Sequence, residues 1–334
     1  MNLKNMGQGR QRVLSGMRPT GKLHIGHLVG ALQNWANLQA SYECFYFIAD
    51  WHALTTDYAQ TGGIGESVVD MLIDWLASGL DPARCTIFQQ SRVPEHAELF
   101  LLLCMITPLS WLERNPTYKE MREELAGKEL GTFGFLGYPV LQAADILMYK
   151  AHKVPVGIDQ LPHLEITREI ARRFNHLYTP VFPLPEALLT TSPKLLGIDR
   201  RKMSKSFGNA ILISDPDNIL REKVMAMVTD PKRVRRHDPG TPEICNVYDY
   251  HKIFSPAEVV DWSAHGCRTA GIGCVDCKQA MLKHLSARLA PLKDRRQYYL
   301  ENPGEIMDAL EQGNSRARSL AKKTMEEVRS AVKI

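Results

Sequence analysis

The chain of 334 residues lacks any apolar run long enough to cross a bilayer. Its longest apolar segments, such as residues 99–105, fall far short of the ~20 residues that a membrane helix needs. No apolar stretch follows the polar and basic residues 1–12, which is not the pattern of a secretory signal. The seven cysteines are too few and too unevenly placed for the disulfide framework of a secreted protein. We therefore expect a cytoplasmic protein that has no membrane partner.

What the composition does contain is typical of a folded globular protein. Hydrophobic residues make up 44% and charged residues 23% of the chain, which argues against disorder. No internal repeat or low-complexity tract is visible. The length favours two domains. The formal net charge of +4 permits a polyanionic partner without requiring one.

The first third of the chain alternates short apolar runs with segments of helical spacing. Residues 12–15 and 86–89 are predicted strands, and the nearly continuous apolar run 44–50 is typical of a strand buried on both faces. Strands that alternate with helices indicate βαβ units and a parallel sheet. The prolines of residues 180–193 predict a loop-rich stretch, and beyond residue 215 the pattern is helical.

The predicted fold class is α/β, with a Rossmann-type parallel-sheet domain followed by a smaller all-helical domain. The first domain spans residues 10–210 and carries a helical insertion at about 95–137. The second domain spans residues 211–334. A nucleotide is a ligand that such a sheet commonly binds.

One segment that can carry chemistry lies where the first strand turns into the first helix. It reads Ser-Gly-Met-Arg-Pro-Thr-Gly-Lys-Leu-His-Ile-Gly-His over residues 15–27. Glycines let a ligand approach the backbone, and a helix N-terminus offers unpaired N–H groups and the positive end of its dipole. His24 and His27 share a helix face, from which two imidazoles can donate to a bound phosphate. By itself, the segment is equally well explained as a glycine-bearing turn with two surface histidines.

The second such segment is the basic loop Lys-Met-Ser-Lys-Ser at residues 202–206. Lysines and hydroxyl groups in one loop, with Gly208 close behind, suit the binding of a polyphosphate. An isolated run of charge is usually only a solvated loop. The pairing of this lysine loop with the histidine turn, in this order, is what favours a functional site.

Together, the two segments resemble the two signatures of class I aminoacyl-tRNA synthetases. The resemblance implies that both bind ATP with Mg2+, and that the lysine loop closes on the phosphates while an amino acid carboxylate attacks the α-phosphate. The products would be an aminoacyl-adenylate and pyrophosphate, and the amino acid would then pass to tRNA. The implied catalytic residues are His24, His27, Lys202 and Lys205. The implied ATP contacts are Arg18, Pro19, Thr20, Gly26, His27, Gly157, Ile158, Asp159, Leu195, Lys202, Met203, Ser204, Lys205 and Ser206.

The choice of amino acid rests on a polar stripe along one predicted helix, residues 138–150. Tyr138, Gln142, Asp145 and Tyr149 repeat at spacings of four, three and four, and apolar residues cover the rest of the helix. A buried carboxylate needs a hydrogen-bond donor, and either an indole N–H or a phenol O–H serves. A capping or surface aspartate on an ordinary helix is the structural alternative.

Residues 138–147, 154–160 and 163–169 resemble the tryptophanyl-tRNA synthetase family, and the resemblance extends from about Val13 to the end of the chain. The implied partners are L-tryptophan, ATP and tRNA(Trp), and members of the family are homodimers. The tryptophan-binding residues that the resemblance implies are Asp145 at the indole N–H, Tyr138 and Gln160 at the amine and carboxylate, and Gln142.

Basic side chains of the second domain are candidates for contacts with tRNA phosphates. A solvated helix face explains such charge equally well, and we expect that outcome for about half of them. The candidates are Lys232, Arg233, Arg235, Arg236, Arg268, Arg316, Arg318, Lys322, Lys323, Arg329 and Lys333.

The resemblance leaves alternatives open. Ile158 stands where the family commonly has a glutamate, and Gln142 stands where a methionine often packs on the indole. Because the polar stripe also resembles the pocket of tyrosyl-tRNA synthetases, a tyrosine ligase is the first alternative. A nucleotidyltransferase that makes a small cofactor shares the histidine turn. A further alternative is a non-catalytic, RNA-binding iron-sulfur paralogue. Such a protein would keep the second domain but would not activate an amino acid.

Four cysteines, Cys245, Cys267, Cys274 and Cys277, follow the spacing Cys-x21-Cys-x6-Cys-x2-Cys. In a cytoplasmic protein such clustering predicts four thiolates on one metal centre rather than disulfides. Zinc and an iron–sulfur cluster both accept four cysteines, and a chance grouping is the structural alternative. Residues 266–278 resemble a subset of tryptophanyl-tRNA synthetases that carry a 4Fe-4S cluster. We therefore expect that cluster, with Zn2+ as the alternative.

Overall fold

Five parallel strands form one sheet in the order β3-β2-β1-β4-β5. The computed structural model describes residues 10–116, 118, 130–189, 195–203 and 207–334. The parallel sheet and the helical C-terminal region confirm the predicted α/β class. The strands are β1 (Arg12–Met17), β2 (Glu43–Ile48), β3 (Cys85–Gln89), β4 (Lys153–Val156) and β5 (Glu186–Leu189).

Helices connect and cover the strands. A five-residue π-helical turn, Leu28–Leu32, joins the first two of them. In the described parts of the chain, no helix is both long enough and apolar enough to span a membrane. In chain order the helices are α1 (Ile25–His27), α2 (Gln33–Leu38), α3 (Asp50–Asp57), α4 (Ile64–Ala77), α5 (Glu95–Cys104), α6 (Leu109–Glu113), α7 (Phe133–Met148), α8 (Leu161–Leu177), α9 (Asp217–Ala226), α10 (Asn246–Phe254), α11 (Ala257–Arg268), α12 (Cys274–Glu301) and α13 (Pro303–Val332).

The nearly continuous apolar run forms the central strand β2, as predicted. The two short strands, β4 and β5, are not visible in the sequence pattern. Every residue of β2 except Glu43 is buried, and the strand lies between β3 and β1. β4 has only four residues, one of which, Pro155, has no N–H for the ladder. β5 is a four-residue edge strand inside the stretch expected to be loop. That expectation is wrong for residues 186–189.

The predicted insertion between β3 and β4 is helical where it is described. α5, α6 and the first turn of α7 fall within residues 95–137. Residue 117 and residues 119–129 of the insertion lie outside the described residues.

Alternate side chains of the sheet point into two hydrophobic cores, one on each face. Val13 packs into the first core and Leu14 into the second, because successive side chains of a strand point to opposite faces. Helix α12 contributes Leu285 to the first core, and α13 contributes Met325 to the second. The last two helices therefore pack on both faces of the sheet, and a domain boundary at residue 210 stays a prediction.

Helix α13 covers the edge of the sheet at β3. The backbones approach so closely that a Cβ atom on Gly313 would lie 1.7 Å from the carbonyl oxygen of Ile87. The next residue, Asn314, accepts the backbone N–H of Gln89 through Oδ1 at 2.9 Å. An edge strand normally leaves such groups unpaired. The end of the chain is thereby fixed to the strand beside β2.

Candidate active site

A cavity of about 540 Å³ opens at the carboxyl edge of the sheet, between β1 and β4. Its walls include residues 15–18 at the end of β1 and residues 154–157 at the end of β4. The chain winds from β1 towards β2 on one side and continues through β4 on the other, so the strand order reverses here. Open parallel sheets bind their ligands at such a switch point, and this volume is typical of small-molecule sites. The cavity is therefore the candidate active site.

The histidine turn forms the start of α1. His24 is the N-terminal cap of the helix and has an extended backbone. Its backbone N–H donates to Nδ1 of His27 at 3.2 Å, and the centroids of the two rings lie 3.7 Å apart. Because Nδ1 of His27 accepts this bond, a neutral His27 carries its proton on Nε2. The turn thus fixes the tautomer in which Nε2–H is the donor.

A glycine is required in this turn because the backbone passes close to the ring of His24. A Cβ atom on Gly26 would lie 2.9 Å from that ring and 3.8 Å from Sδ of Met203. The histidine turn and the start of the lysine loop, far apart in sequence, therefore meet. The backbone N–H of Ile25 donates to the carbonyl oxygen of Ile211 at 2.9 Å, which fixes the turn to the segment that follows the loop.

The cavity wall contains several of the residues implied as ATP contacts. Thr20 and the buried Pro19 continue the chain from the end of β1, and the backbone N–H of Thr20 donates to the carbonyl oxygen of Arg18 at 2.9 Å. This turn leads from the cavity to the histidine turn, whose two histidines adjoin the cavity lining without being part of it. The implied ATP contacts that line the cavity are Arg18, Gly157, Asp159 and Lys202.

Other implied ATP contacts lie away from the cavity. Leu195 and Met203 are buried in the first hydrophobic core. The side chain of Ile158 is 75% exposed and does not line the cavity. A ligand held inside the cavity would therefore not contact this side chain. The members of the lysine loop that fall outside the described residues are Ser204, Lys205 and Ser206.

Asp145 lies in the wall of the cavity with no exposure to solvent. Its Oδ1 atom accepts from Nδ1 of His96 at 2.6 Å and from Nε2 of Gln90 at 2.8 Å. Its Oδ2 atom accepts from Nε2 of His52 at 2.8 Å and from the same Gln90 nitrogen at 3.0 Å. A buried carboxylate is costly unless it is paired in this way. Three side chains therefore hold Asp145 as a hydrogen-bond acceptor.

The electrostatics of this network keep Asp145 charged. Burial alone would raise the pKa of Asp145, but hydrogen bonds from His52 and His96, followed by their charges, outweigh burial and lower the pKa. The carboxyl group is therefore ionised at neutral pH and can only accept hydrogen bonds. Of its partners, His52 lines the cavity, whereas His96 and Gln90 do not. A ligand that approaches Asp145 therefore meets His52 first.

His96 is held from behind by a tyrosine. Its Nε2 atom lies 2.7 Å from the hydroxyl oxygen of Tyr149. Asp145 and Tyr149 thus contact the two opposite nitrogens of the His96 ring. Burial, followed by the charge of Asp145, raises the pKa of Tyr149 well above its usual value, so this hydroxyl keeps its proton. The orientation of Asp145 is thus fixed by two successive hydrogen bonds on this side.

The other implied amino-acid contacts line the same cavity. Tyr138 places its hydroxyl 2.8 Å from Nε2 of His163, and Nδ1 of His163 lies 3.2 Å from Oε1 of Gln160. An amide oxygen only accepts, so Nδ1 carries the ring proton and Nε2 accepts the phenol O–H. Burial, followed by the charge of His52, lowers the pKa of His163 to about 4, so the ring is neutral at physiological pH. Gln142 also lines the cavity.

Sequence reasoning missed four residues of this site: His52, Gln90, His96 and His163. His52 comes shortly after β2, and Gln90 follows β3 directly. Because the carboxyl ends of parallel strands meet at one edge of a sheet, polar residues just after strands were a usable signal. His96 and His163 lie on helices α5 and α8 rather than directly after a strand, so this signal does not identify them.

The four clustered cysteines lie where three helices meet. Cys245 directly precedes α10, Cys267 lies in the last turn of α11, and Cys274 and Cys277 lie in the first turn of α12. Burial, followed by the charges of the other three thiols, raises the pKa of Cys277 to about 12. Within the described residues, no three His, Cys, Asp or Glu side chains are placed to hold a metal ion. The metal centre therefore stays a prediction.

The parallel sheet, the cavity at its switch point and the histidine turn beside it define a synthetase of the class I fold. The family model described as tRNA synthetases class I (W and Y) matches residues 6–290. The chain belongs to this family.

Relatives resemble the chain over nearly its whole length. The tryptophan–tRNA ligase of Thermotoga maritima is 56% identical over 325 residues, covering 97% of this chain and 99% of the relative. The tryptophan–tRNA ligase of Aquifex aeolicus is 46% identical over 393 aligned positions, covering 97% of this chain and 100% of the relative. The crystal structure of Campylobacter jejuni tryptophanyl-tRNA synthetase, complexed with ADP and tryptophan, has a TM-score of 0.87 at 31% identity and covers 97% of this chain and 100% of that chain.

Replacement of Asp145 by asparagine tests the role of the buried carboxylate. The change removes the charge and turns one acceptor oxygen into a donor that faces the N–H groups of the network. We expect Asp145→Asn to lower kcat/KM for the amino acid in ATP–pyrophosphate exchange by about 100-fold, or ~2.7 kcal/mol. We expect the Kd for ATP to stay within about twofold, because the histidine turn, which the sequence predicts to bind ATP, is untouched.

Asp50 offers a matched control. It is also a buried carboxylate, and it accepts from Gln89 at 2.7 Å and from the backbone of Ser91 at 3.0 Å, yet it does not line the cavity. Asp50→Asn should change kcat/KM by no more than about threefold. Equal losses in the two variants would contradict a recognition role for Asp145.

Proposed function

We propose that the protein is a tryptophan–tRNA ligase. It activates L-tryptophan with ATP, supplied as the magnesium complex, to tryptophanyl-adenylate and pyrophosphate, and it then transfers tryptophan to tRNA(Trp) in the cytoplasm. The observation that carries the proposal is the ionised carboxylate of Asp145 in the wall of the cavity. Similarity over almost the whole chain to two tryptophan–tRNA ligases supports it.

Adenylate formation exchanges one bond at phosphorus for another. A carboxylate oxygen of tryptophan bonds to the α-phosphorus of ATP while the bond from that phosphorus to the pyrophosphate oxygen breaks, and the electron pair leaves with pyrophosphate. Preorganised donors and cations stabilise the charge that develops on the phosphates. Lys202 supplies an ammonium group in the cavity wall, and His27 supplies the Nε2–H that its tautomer fixes. We assign the same task to His24 and to Lys205 of the lysine loop.

Selection of the amino acid rests on one hydrogen bond and an apolar surround. The Asp145 carboxylate accepts the indole N–H of tryptophan at the position where His52 now approaches Oδ2. A site built around a hydrogen bond to a ligand N–H rejects analogues that lack it, because its own buried polar group is left unpaired. A phenol O–H could also reach a carboxylate, which keeps tyrosine as the alternative substrate.

The amine and carboxylate of the amino acid and the ribose of ATP are assigned to neighbouring parts of the cavity wall. Tyr138 and Gln160, joined through His163, bind the amine and carboxylate of tryptophan. Gly157 and Asp159 follow β4 and line the cavity, and we assign them to the ribose of ATP. This arrangement would place the tryptophan carboxylate between the indole pocket and the phosphates, as in-line attack requires.

The helical region, residues 211–334, is the proposed anticodon-recognition domain. Several of its basic residues already contact the sheet domain: Arg318 pairs with Glu95 at 3.0 Å and Arg329 with Glu98 at 2.6 Å. From the exposed basic side chains of this region, we assign Lys232, Arg235, Arg236, Lys322, Lys323 and Lys333 to tRNA phosphates.

A homodimer is proposed from an exposed apolar surface on the insertion. Leu101 on α5, Met105 directly after α5, Leu109 on α6 and Phe133 on α7 are each more than half exposed. Large apolar side chains exposed on neighbouring elements are typical of sites of association between proteins. A second copy of the chain would cover it.

The four cysteines are proposed to hold a 4Fe-4S cluster, with Zn2+ as the alternative. Support comes from the position of all four cysteines at the ends of the neighbouring helices α10, α11 and α12. Four thiolates are the donor set that such a cluster takes. Because adenylation transfers no electrons, the cluster would serve to fix the three helices against one another.

ATP–pyrophosphate exchange with tryptophan and tyrosine side by side tests the proposed activity. We expect exchange with tryptophan, at a kcat/KM at least about 100-fold above that for tyrosine. Exchange that prefers tyrosine would overturn the specificity but keep the chemistry. Exchange with neither amino acid would overturn the proposal and favour the non-catalytic RNA-binding alternative.

Metal analysis of protein purified without oxygen tests the cysteine centre. We expect about four iron atoms and four acid-labile sulfides per chain, and loss of most of both in Cys277→Ser. Cys104→Ser, which changes a cysteine of α5 far from the cluster in sequence, should keep both. A single zinc would establish the alternative, and neither metal would contradict a four-thiolate centre.

A further inference from the structure

Four residues of the cavity wall are linked by a series of three hydrogen bonds. Nε2 of Gln160 donates to Oδ2 of Asp159 at 3.1 Å, and Oε1 of the same amide lies 3.2 Å from Nδ1 of His163. Nε2 of His163 lies 2.8 Å from the hydroxyl oxygen of Tyr138. All four residues line the cavity. His163 therefore connects the amide of Gln160 with the phenol of Tyr138.

The series runs in one direction, from the phenol to the carboxylate. A carboxylate only accepts, so the amide nitrogen of Gln160 faces Asp159 and the amide oxygen faces His163. An amide oxygen also only accepts, which places the ring proton of His163 on Nδ1. Nε2 of the ring then has a lone pair, and the O–H of Tyr138 donates to it. The phenol proton is therefore committed to His163.

Burial of the histidine preserves this direction. His163 is 3% exposed, and burial, followed by the charge of His52, lowers its pKa to about 4 against the opposing charge of Asp159. The ring is therefore neutral at physiological pH, with one donor and one acceptor nitrogen. The rings of His163 and Tyr138 also pack edge to face, with centroids 5.2 Å apart. Packing and the hydrogen bond thus fix the same tyrosine.

We propose that His163 is a positioning residue for the amine of the amino acid: it takes the phenol proton of Tyr138 and leaves the phenol oxygen as an acceptor for the ammonium group. The inference rests on the proposed function, which places that amine in this part of the cavity. An ammonium group only donates, so a hydroxyl whose proton pointed at it would be repelled. His163 removes that orientation of the hydroxyl.

The spacing along α7 suits an amino acid that is held at both ends. Tyr138 and Asp145 lie seven residues apart on this helix, which is two turns and about 10 Å. A tryptophan molecule that makes one hydrogen bond at each end can span this length. The indole N–H and the ammonium group are both donors, and α7 presents an acceptor to each of them.

Calorimetric titration of the full chain with tryptophan and with indole-3-propionate tests the proposal, because the two ligands differ only in the amine. We expect the native protein to bind tryptophan about 30-fold more tightly than the analogue, as for one hydrogen bond to a charged group. In His163→Phe we expect this ratio to fall to about threefold, because the phenol proton has lost its acceptor. The Kd for indole-3-propionate should change by no more than about twofold.

Two further variants separate positioning from packing. His163→Gln restores a carbonyl oxygen that can accept the phenol proton, and it should recover most of the ratio. Thr167→Val is the matched control on α8. It removes a fully buried hydroxyl that donates to the backbone carbonyl oxygen of His163 at 3.1 Å but does not line the cavity. Because the imidazole is unchanged, the ratio should stay within about twofold of the native value.

An unchanged ratio in His163→Phe, or an equal loss of affinity for both ligands, would overturn the proposal. Urea unfolding identifies a variant that does not fold. Should His163→Phe fail to fold, Tyr138→Phe decides, since it should lower the ratio to the same extent and a native ratio there would contradict the assignment.

The same titrations with tyrosine and 3-(4-hydroxyphenyl)propionate distinguish this inference from the proposed function. The amine is common to both amino acids, so the ratios and their loss in His163→Phe should be the same for whichever amino acid binds. A native protein that prefers tyrosine would overturn the proposed specificity and leave the role of His163 intact. Binding of neither amino acid would overturn both.

Discussion

A carboxylate that has no contact with solvent must be surrounded by donors, and the architecture of this site follows from that requirement at Asp145. Its partners come from three elements: His52 after β2, Gln90 after β3 and His96 on α5. These elements can converge on one residue of α7 because the carboxyl ends of the parallel strands share one edge. The hydrogen bonds that keep the carboxylate ionised also hold it, beside His52, in the wall of the cavity.

The helical C-terminal region is part of the support for this site rather than an appendage to it. Helix α13 covers the edge of the sheet through Gly313 and Asn314, and α12 packs in the core that contains the histidine turn. The turn is held by the backbone bond from Ile25 to Ile211, and its apolar side chains pack in the same core as those of α4 and α12. A region assigned to tRNA and a region assigned to ATP share one packed body.

The sequence predicts the features that local patterns encode. The apolar run of β2 and the helical spacing of α4 define the sheet and its first crossovers, and the stripe on α7 identifies Asp145. β4 and β5 escape prediction because four residues carry too little periodicity, and Pro155 argues against a strand. The hydrogen-bond partners of Asp145 could not be predicted for a different reason. They are separated from it by 93, 55 and 49 residues, and only the tertiary fold reveals which donors meet a given acceptor.

The central claim is that Asp145 recognises the indole N–H, and calorimetric titration tests it most directly. The native chain is titrated with tryptophan and with its benzothiophene analogue, in which sulfur replaces the indole N–H and the shape is nearly the same. The account predicts that the analogue binds about 100-fold more weakly, because the buried carboxylate is then left without its donor. Equal Kd values for the two ligands would contradict it, since the pocket would then be recognising shape and apolar surface alone.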